Sequence, residues 1–404
     1  MPDTALHVGI DATCWSNDRG FGRFTRELVK ALAQRGSGIR YSLVFDEAPA
    51  TPVPAGVEMM FAGAGDSLRE QSAGTARRSA DYLFRLGRLA SRADFDVFFF
   101  PAVYSYFPFL SRTPCVICYH DTIAERFPDL IFPTRRNFRL WRIKTAMSKL
   151  QARRAMTVSE ASAREIEVVL KIPRAKIDVI TEGPDPAFRI LDDPAAVEAA
   201  RGQLNIPRGA PLLVYVGGFN RHKNLTGLLR AMPGVLAVHP DIHLAIVGDT
   251  SGEGFWDNLP ELRGLVRADP LLEKAVTFTG YLPDDVLVRL LNGASALVLP
   301  SLAEGFGLPA VEAMACGVPV LASDRGSLPE VVGDAGLLFD PEDPDDIAAC
   351  LTGFFTDPGL QSRLAAKARE RIALFTWARA AELAEMSFRR CAMNTRRSTQ
   401  QGSV

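Results

Sequence analysis

The sequence predicts an α/β fold of two doubly wound, Rossmann-like domains, each built on a parallel sheet. Three observations carry this expectation. The chain has 404 residues, too many for one compact core and suited to two domains of roughly 150–200 residues each. Short apolar or β-branched runs alternate with amphipathic stretches almost throughout, and strands separated by helices imply parallel sheets covered on both faces. A Pro- and Asp-rich stretch at 184–194, PDPAFRILDDP, interrupts the alternation with residues that break regular structure. The predicted domains are 1–185 and 195–375, followed by a last helix at 376–392.

In the first half, an apolar run at 6–10 leads into an amphipathic stretch at 23–34, and a run at 115–119 precedes a helical stretch at 134–155. In the second half, 212–216 precedes 225–232, 243–247 precedes a loop, 276–279 precedes 284–291, and 296–299 precedes 309–315. Apart from 243–247, each pair switches from strand-like to helical periodicity.

Composition narrows the class. Hydrophobic residues make up 47% and charged residues 23%, as in ordinary globular domains. No run approaches the ~20 apolar residues of a membrane-spanning helix. The nearest, 97–110, carries Pro101 and Pro108. The start lacks the basic region and long apolar core of a signal peptide, and Val8 to Ile10 reads as a first strand; the expected location is the cytosol. Six scattered cysteines argue against a disulfide framework. Cys115 and Cys118 lie in an apolar run, not at a helix start where a thiol would be activated, and read as buried strand residues. Residues 1–190 hold 27 basic and 21 acidic side chains, whereas 191–404 hold 19 and 26. This asymmetry suggests different partners for the two halves.

The most informative segment is PSLAEGFGLPAVEAMACGVPV at 300–320. A strand ends near Pro300, a loop carries Gly305 and Gly307, and Pro309 suits a first helical position because its missing N–H would have no helical partner. Gly317 can close that helix, and Pro319 cannot continue it. Glu304 then precedes a helix start and Glu312 lies about one turn inside. Free backbone N–H groups and the positive end of the helix dipole suit a pyrophosphate, and carboxylates accept hydrogen bonds from vicinal hydroxyls. Spacing alone leaves open a capped helix with two solvated glutamates. A second segment, YVGGFNRHKNL at 215–225, runs from a strand through Gly217 and Gly218 to Lys223. A cation there would stabilise a diphosphate leaving group; a solvated loop lysine is the alternative.

The EGFGLPxxEAMACGxPV pattern, with Glu304 and Glu312 eight positions apart, resembles the signature of glycosyltransferase family 4, whose fold is GT-B: two Rossmann-like domains facing a central cleft. The resemblance spans about twenty consecutive positions. It implies that Glu304 contacts the transferred sugar, Glu312 the ribose hydroxyls, and the backbone of Gly305, Phe306, Gly307 and Leu308 the sugar and phosphate. It aligns Lys223 with the family's phosphate-binding lysine. Many members carry Arg where this chain has Gly218, and Arg221 is the candidate to supply that guanidinium. Val247-Gly248-Asp249 and Phe278-Thr279-Gly280-Tyr281 resemble strand ends lining the base site, so Gly248 and Tyr281 join the donor-binding set. The segment from Phe375 to Trp377 resembles the element that crosses back onto the N-terminal domain.

The N-terminal half matches more loosely. Gly20-Phe-Gly22-Arg-Phe-Thr25 resembles the family's glycine loop, where Gly22 would approach the donor phosphate. His120, in His120-Asp121 at the end of a predicted strand, resembles the family histidine that contacts the donor sugar or positions the acceptor hydroxyl. Glu182 and Pro184 stand where the family usually has Asn and Val.

The resemblance thus implies a retaining, metal-independent glycosyltransferase without a cofactor. Its catalytic residues would be Glu304, His120 and Lys223, its donor a nucleotide sugar held by the second domain, and its acceptor a glycan or lipid-linked hydroxyl held by the first. The alternatives are a sugar phosphorylase, an epimerase or a non-catalytic sugar-binding scaffold. The segment 134–154 carries eight basic and no acidic residues, interleaved with Phe138, Leu140, Trp141, Ile143 and Leu150. Such a helix can lie on an anionic membrane surface, at the inner face for a cytosolic protein, or pack its apolar stripe on a sheet and leave its basic face solvated. No nucleic-acid recognition motif accompanies the charge, and nucleic acid is not an expected partner.

Overall fold

The computed structural model describes residues 5–17, 20–62, 80–108, 111–250 and 258–401. Among these, two parallel sheets form. The first contains β1 (His7–Asp11), β2 (Arg40–Phe45), β3 (Glu58–Phe61), β4 (Val97–Phe100), β5 (Cys115–Cys118), β6 (Ala152–Thr157) and β7 (Ile177–Val179), in the order β3-β2-β1-β4-β5-β6-β7. The second contains β8 (Leu212–Val216), β9 (His243–Val247), β10 (Val276–Gly280), β11 (Ala296–Leu299), β12 (Val320–Ser323) and β13 (Gly336–Phe339), in the order β10-β9-β8-β11-β12-β13. Both repeat one plan: three strands are laid down one way, the chain returns past the first, and the rest extend the other way. This is the doubly wound arrangement that the alternating pattern predicts.

The chain divides into two compact units. One holds the first sheet and Trp377–Val404; the other holds Gly183–Thr376 and the short segment Phe127–Ile131. The chain crosses from one to the other at Glu182–Gly183 and returns at Thr376–Trp377.

The strands are buried runs, as strands covered on both faces must be. Residues 97–100, Val-Phe-Phe-Phe, are fully buried. Their rings interlock with Phe107, Tyr106 and Phe95 at centroid distances of 5–6 Å, within the range where aromatic pairs attract. Cys115 and Cys118 are buried in β5, and burial pushes the Cys115 thiol well above its ordinary range.

Two local expectations need correction. The helix predicted at 134–155 ends at Gln151, and Ala152–Thr157 is strand β6. Arg153 and Arg154 hide the strand in the sequence, because a buried arginine is foreign to the apolar pattern of such strands. Arg154 is accommodated by Asp178 of β7, whose carboxylate accepts from Nε at 2.5 Å and Nη2 at 2.7 Å. Secondly, Gly20–Gln34 is one helix, so Gly22 lies in its first turn rather than in a loop.

The terminal helix starts at Trp377, as the predicted one does within a residue, and continues to Gln401. It packs against the Gly20–Gln34 helix. Polar anchors fix it to the first unit: Ser387 Oγ and Arg390 Nη1 donate to Asp178 at 2.6 and 2.9 Å, and Ser37 Oγ and Tyr41 Oη donate to Glu385 at 2.7 and 3.1 Å. Burial alone would raise the Asp178 carboxyl, but hydrogen bonds and charge from Arg154, Ser387 and Arg390 hold it below the usual carboxylate range. Replacing Asp178 by Ala leaves Arg154 buried without its counter-ion, which typically costs about 3–5 kcal/mol. Urea unfolding of Asp178→Ala should show this loss.

Candidate active site

In an open doubly wound sheet, ligands collect beyond the carboxyl ends of the strands where the strand order reverses, because helices diverge there to opposite faces. In the second sheet that point lies between β8 and β11. The residues after β8 are Gly217 to Lys223, and those after β11 are Pro300 to Gly307. The two segments singled out by their chemistry therefore hang from the two strands flanking the reversal.

The structure brings Lys223 and Glu304 together. Lys223 Nζ donates to Glu304 Oε1 at 2.7 Å, and Ser301 Oγ donates to the same oxygen at 2.9 Å. The Glu304 carbonyl accepts from the backbone N–H and the Oγ of Ser327, at 3.2 and 3.1 Å. Both side chains are largely buried. Burial would raise the Glu304 carboxyl, but Lys223, His222 and Ser301 together hold it below its ordinary value. The site therefore presents a fixed carboxylate against a fixed ammonium.

Close backbone approaches hold the first segment in place. Gly217 N–H donates to Val247 O, and Gly248 N–H donates to Gly280 O. A Cβ on Gly248 would lie 2.3 Å from Gly217 O, so that position admits only glycine without displacing the loop. Tyr215 Oη donates to Gly218 O at 2.7 Å and ties the loop to its own strand. Lys223 and Arg221 share a short 3-10 turn that leads into the Leu225–Val238 helix. Their side chains diverge: Arg221 pairs with Glu261 at 3.4 Å, both exposed.

The second segment enters the helix Leu308–Ala315. Gly307 caps its start at φ 92°, and no side chain caps it. Pro309 is the second helical residue rather than the first. Phe306 is buried against Phe375, with centroids 5.7 Å apart, which anchors the loop that carries Gly305 and Gly307. Glu312 is 4% exposed inside the helix. Tyr281, directly after β10, is 61% exposed.

In the first unit, His120 follows β5. Its ring meets Phe24 edge-to-face with centroids 4.7 Å apart, Nε2 lies 2.9 Å from Pro101 O, and Nδ1 lies 3.5 Å from Glu182 Oε1. Burial works to lower its pKa, but Cys118 and Glu182 outweigh burial and raise it well above the ordinary histidine value. The local packing requires a glycine at position 22. A Cβ there would lie 2.0 Å from Asn17 O and 2.9 Å from Cys14 O. The space opened by its missing side chain is filled by the chain's own turn.

Sequence reasoning passed over Ser301, Ser327, Tyr215, His222 and the pairing of Glu182. Ser301 and Ser327 lie outside the regular pattern and Tyr215 reads as one more apolar residue of β8, and their roles appear only once distant segments meet. His222 adjoins Lys223, is buried, and its Nδ1 has no hydrogen-bond partner among the described residues.

Residues 196–371 match the family model described as glycosyl transferases group 1, and residues 19–188 match the model of glycosyltransferase family 4. Together the two models span most of the chain and support a glycosyltransferase of the family 4 kind. Among relatives of this family, the D-inositol 3-phosphate glycosyltransferase of Corynebacterium jeikeium K411 is 36% identical over 214 residues, covering 52% of this chain and 48% of the relative. The serotype-specific mannosyltransferase WbdA of Escherichia coli is 30% identical over 258 residues, covering 63% of this chain and 31% of WbdA. The matched regions thus span half or less of these relatives. Sucrose-phosphate synthase from Thermosynechococcus elongatus superposes with a TM-score of 0.74 at 24% identity, covering 95% of this chain and 98% of that one. WaaG, a glycosyltransferase involved in lipopolysaccharide biosynthesis, does so at 0.71 and 17%, covering 93% and 98%. At these identities the likeness establishes the fold, GT-B.

His222 gives the site a pH signature. Burial, then the charge of Lys223, lowers its pKa to about 4 against a small opposing effect of Glu304. The unfolded chain therefore takes up this proton first as the pH falls through about 6.5. The contribution of a neutral His222 is complete above that pH and is lost between about 6.5 and 4, to the extent of about 3 kcal/mol. Urea unfolding at pH 7.5 and 4.5 should show a smaller loss for His222→Asn than for the native chain.

Proposed function

We propose that this chain is a retaining glycosyltransferase that moves a hexosyl group from a nucleotide-diphosphate sugar, GDP-mannose or a UDP-sugar, to a hydroxyl of a glycan or lipid-linked acceptor in surface polysaccharide or glycoconjugate synthesis. The observation that carries this reading is the Lys223–Glu304 pair at the strand reversal, beside a helix start that no side chain caps. A diphosphate there meets a cation and a positive helix end, and the transferred sugar meets a carboxylate held in its ionised form. The names of the relatives, a mannosyltransferase and an inositol phosphate glycosyltransferase, support a sugar-transfer role.

In the proposed reaction, the donor lies on the second unit with its diphosphate near Lys223 and the backbone of Phe306 to Leu308. Glu312 serves the ribose, Gly218, Gly248 and Tyr281 border the nucleotide, and Arg221 lies within the same turn as Lys223. The acceptor binds the first unit, where His120 lies. The bond between the anomeric carbon and the phosphate oxygen breaks, the acceptor oxygen bonds that carbon from the same face, and the departing phosphate takes the acceptor proton. Lys223 stabilises the charge that develops on the leaving group, the role a metal fills elsewhere.

Replacing Glu304 by Gln should lower kcat at least about a hundredfold with the fold intact, and Lys223→Ala should cost about 10²–10³ in kcat. A nucleotide-sugar screen by thermal shift, followed by product analysis with the donor so found, provides the assay; full turnover by Glu304→Gln would remove that residue from the reaction. In the same assay, transfer should be undiminished in excess EDTA, whereas loss restored by added magnesium or manganese would refute metal independence.

The helix Arg135–Gln151 supports contact with the inner face of a membrane. Its buried residues are Thr145 and Ser148. Ile143 and Leu150 are 57% and 88% exposed, with Leu140 and Met147 also exposed. Trp141 packs inward against the core and Glu125, whereas Leu140, Ile143, Met147 and Leu150 face outward among Arg135, Arg136, Arg139, Arg142 and Lys149, a combination suited to anionic lipid. Among the described residues no helix is long and apolar enough to cross a membrane. The full chain should co-sediment with phosphatidylglycerol vesicles, less so in high salt and less so as Ile143→Ser/Leu150→Ser; absence from the pellet at every salt concentration would exclude the contact.

A further inference from the structure

Glu182 stands where the family pattern has Asn, and the structure shows what the difference does. Its side chain is 5% exposed and its Oε1 lies 3.5 Å from Nδ1 of His120. The other ring nitrogen, Nε2, lies 2.9 Å from the Pro101 carbonyl oxygen. A carbonyl oxygen only accepts, so Nε2 carries a hydrogen. In a neutral ring, Nδ1 would then turn its lone pair toward a carboxylate oxygen, acceptor against acceptor. The doubly protonated ring gives Pro101 a donor and sets a positive charge against the Glu182 carboxylate. An Asn at 182 would impose no such choice, because its amide offers either a donor or an acceptor.

The surroundings agree. The ring is enclosed by Phe24 from the Gly20–Gln34 helix, Pro101 after β4, Cys118 of β5, and Glu182 after β7. Cys118 and then Glu182 favour the charged ring against burial, and none of these groups is basic.

We propose that Glu182 is a positioning residue that holds His120 as a fixed imidazolium at the carboxyl end of β5. With Nε2 bonded to the Pro101 carbonyl and Nδ1 paired with the Glu182 carboxylate, the ring acts through its charge and orientation and does not accept the acceptor's proton. That consequence rests on the transferase reading. It leaves the departing phosphate to take the proton, and it places a permanent cation where strand ends open toward ligand.

Nitrogen-15 imidazole spectra of the full chain test the proposal without substrate, because the chain has only five histidines and His120→Gln assigns the resonance. In the native chain His120 should keep both nitrogens protonated well above the pH at which a free imidazole titrates, while Glu182→Gln and Glu182→Asn lower its midpoint by about two pH units. Glu182→Asp, which keeps the charge on a shorter arm, should recover part of that fall. A neutral ring at pH 7 in the native chain, or an unchanged midpoint in the folded variants, overturns the proposal. The native spectrum decides the matter even where a variant fails to fold. Failure of every sugar-transfer assay would leave this result standing, so the two readings fall separately.

Discussion

The ion pair between Lys223 and Glu304 organises the second unit's site. A carboxylate this well buried is costly without a counter-charge, and Lys223 and Ser301 supply the contacts that keep it ionised, while Ser327 holds the Glu304 backbone carbonyl in place. Charge is therefore balanced before any ligand arrives. An incoming diphosphate would compete for the ammonium, and a sugar hydroxyl would take up the carboxylate oxygen so released. In the proposed reaction the resting pair holds both groups in place, so little reorganisation remains for the transition state.

The same structure contains a second buried pair with another purpose. Arg154 and Asp178 join adjacent strands of the first sheet and receive Ser387 and Arg390 from the terminal helix. This pair lies within the sheet and under a helix, away from the strand ends, and every lone pair it offers is met by the chain itself. Lys223–Glu304 sits where the strand order reverses. Position in the fold, more than the chemistry of the pair, separates a structural clamp from a candidate site.

Glycines repeat the lesson. Gly248 and Gly22 both exclude a side chain through close backbone contact, with Gly217 O and Asn17 O respectively. The first steadies a loop that carries Lys223. The second packs a turn on a helix, although its surrounding sequence suggested a ligand-facing loop. A missing Cβ shows that something approaches closely and leaves open whether that neighbour is a substrate or the chain's own backbone.

The sequence alone determined the doubly wound plan, since alternating periodicity follows from strands and helices that must bury one face. It also determined the segments at 215–225 and 300–320, since glycines, proline and charged residues at those spacings leave few local conformations. It could not show that Ala152–Thr157 is a strand, because only Asp178, twenty-four residues from Arg154, makes a buried arginine tolerable there. Nor could it show which way the 135–151 helix turns, because its apolar and basic residues are intermixed and packing chose the face of Trp141, Thr145 and Ser148. The surroundings of His120 likewise bring together Cys118, two residues before it, and two groups distant in sequence, Pro101 and Glu182. Local patterning sets what each segment is able to become; the partners brought to it by tertiary packing decide its charge, its orientation and the face it shows.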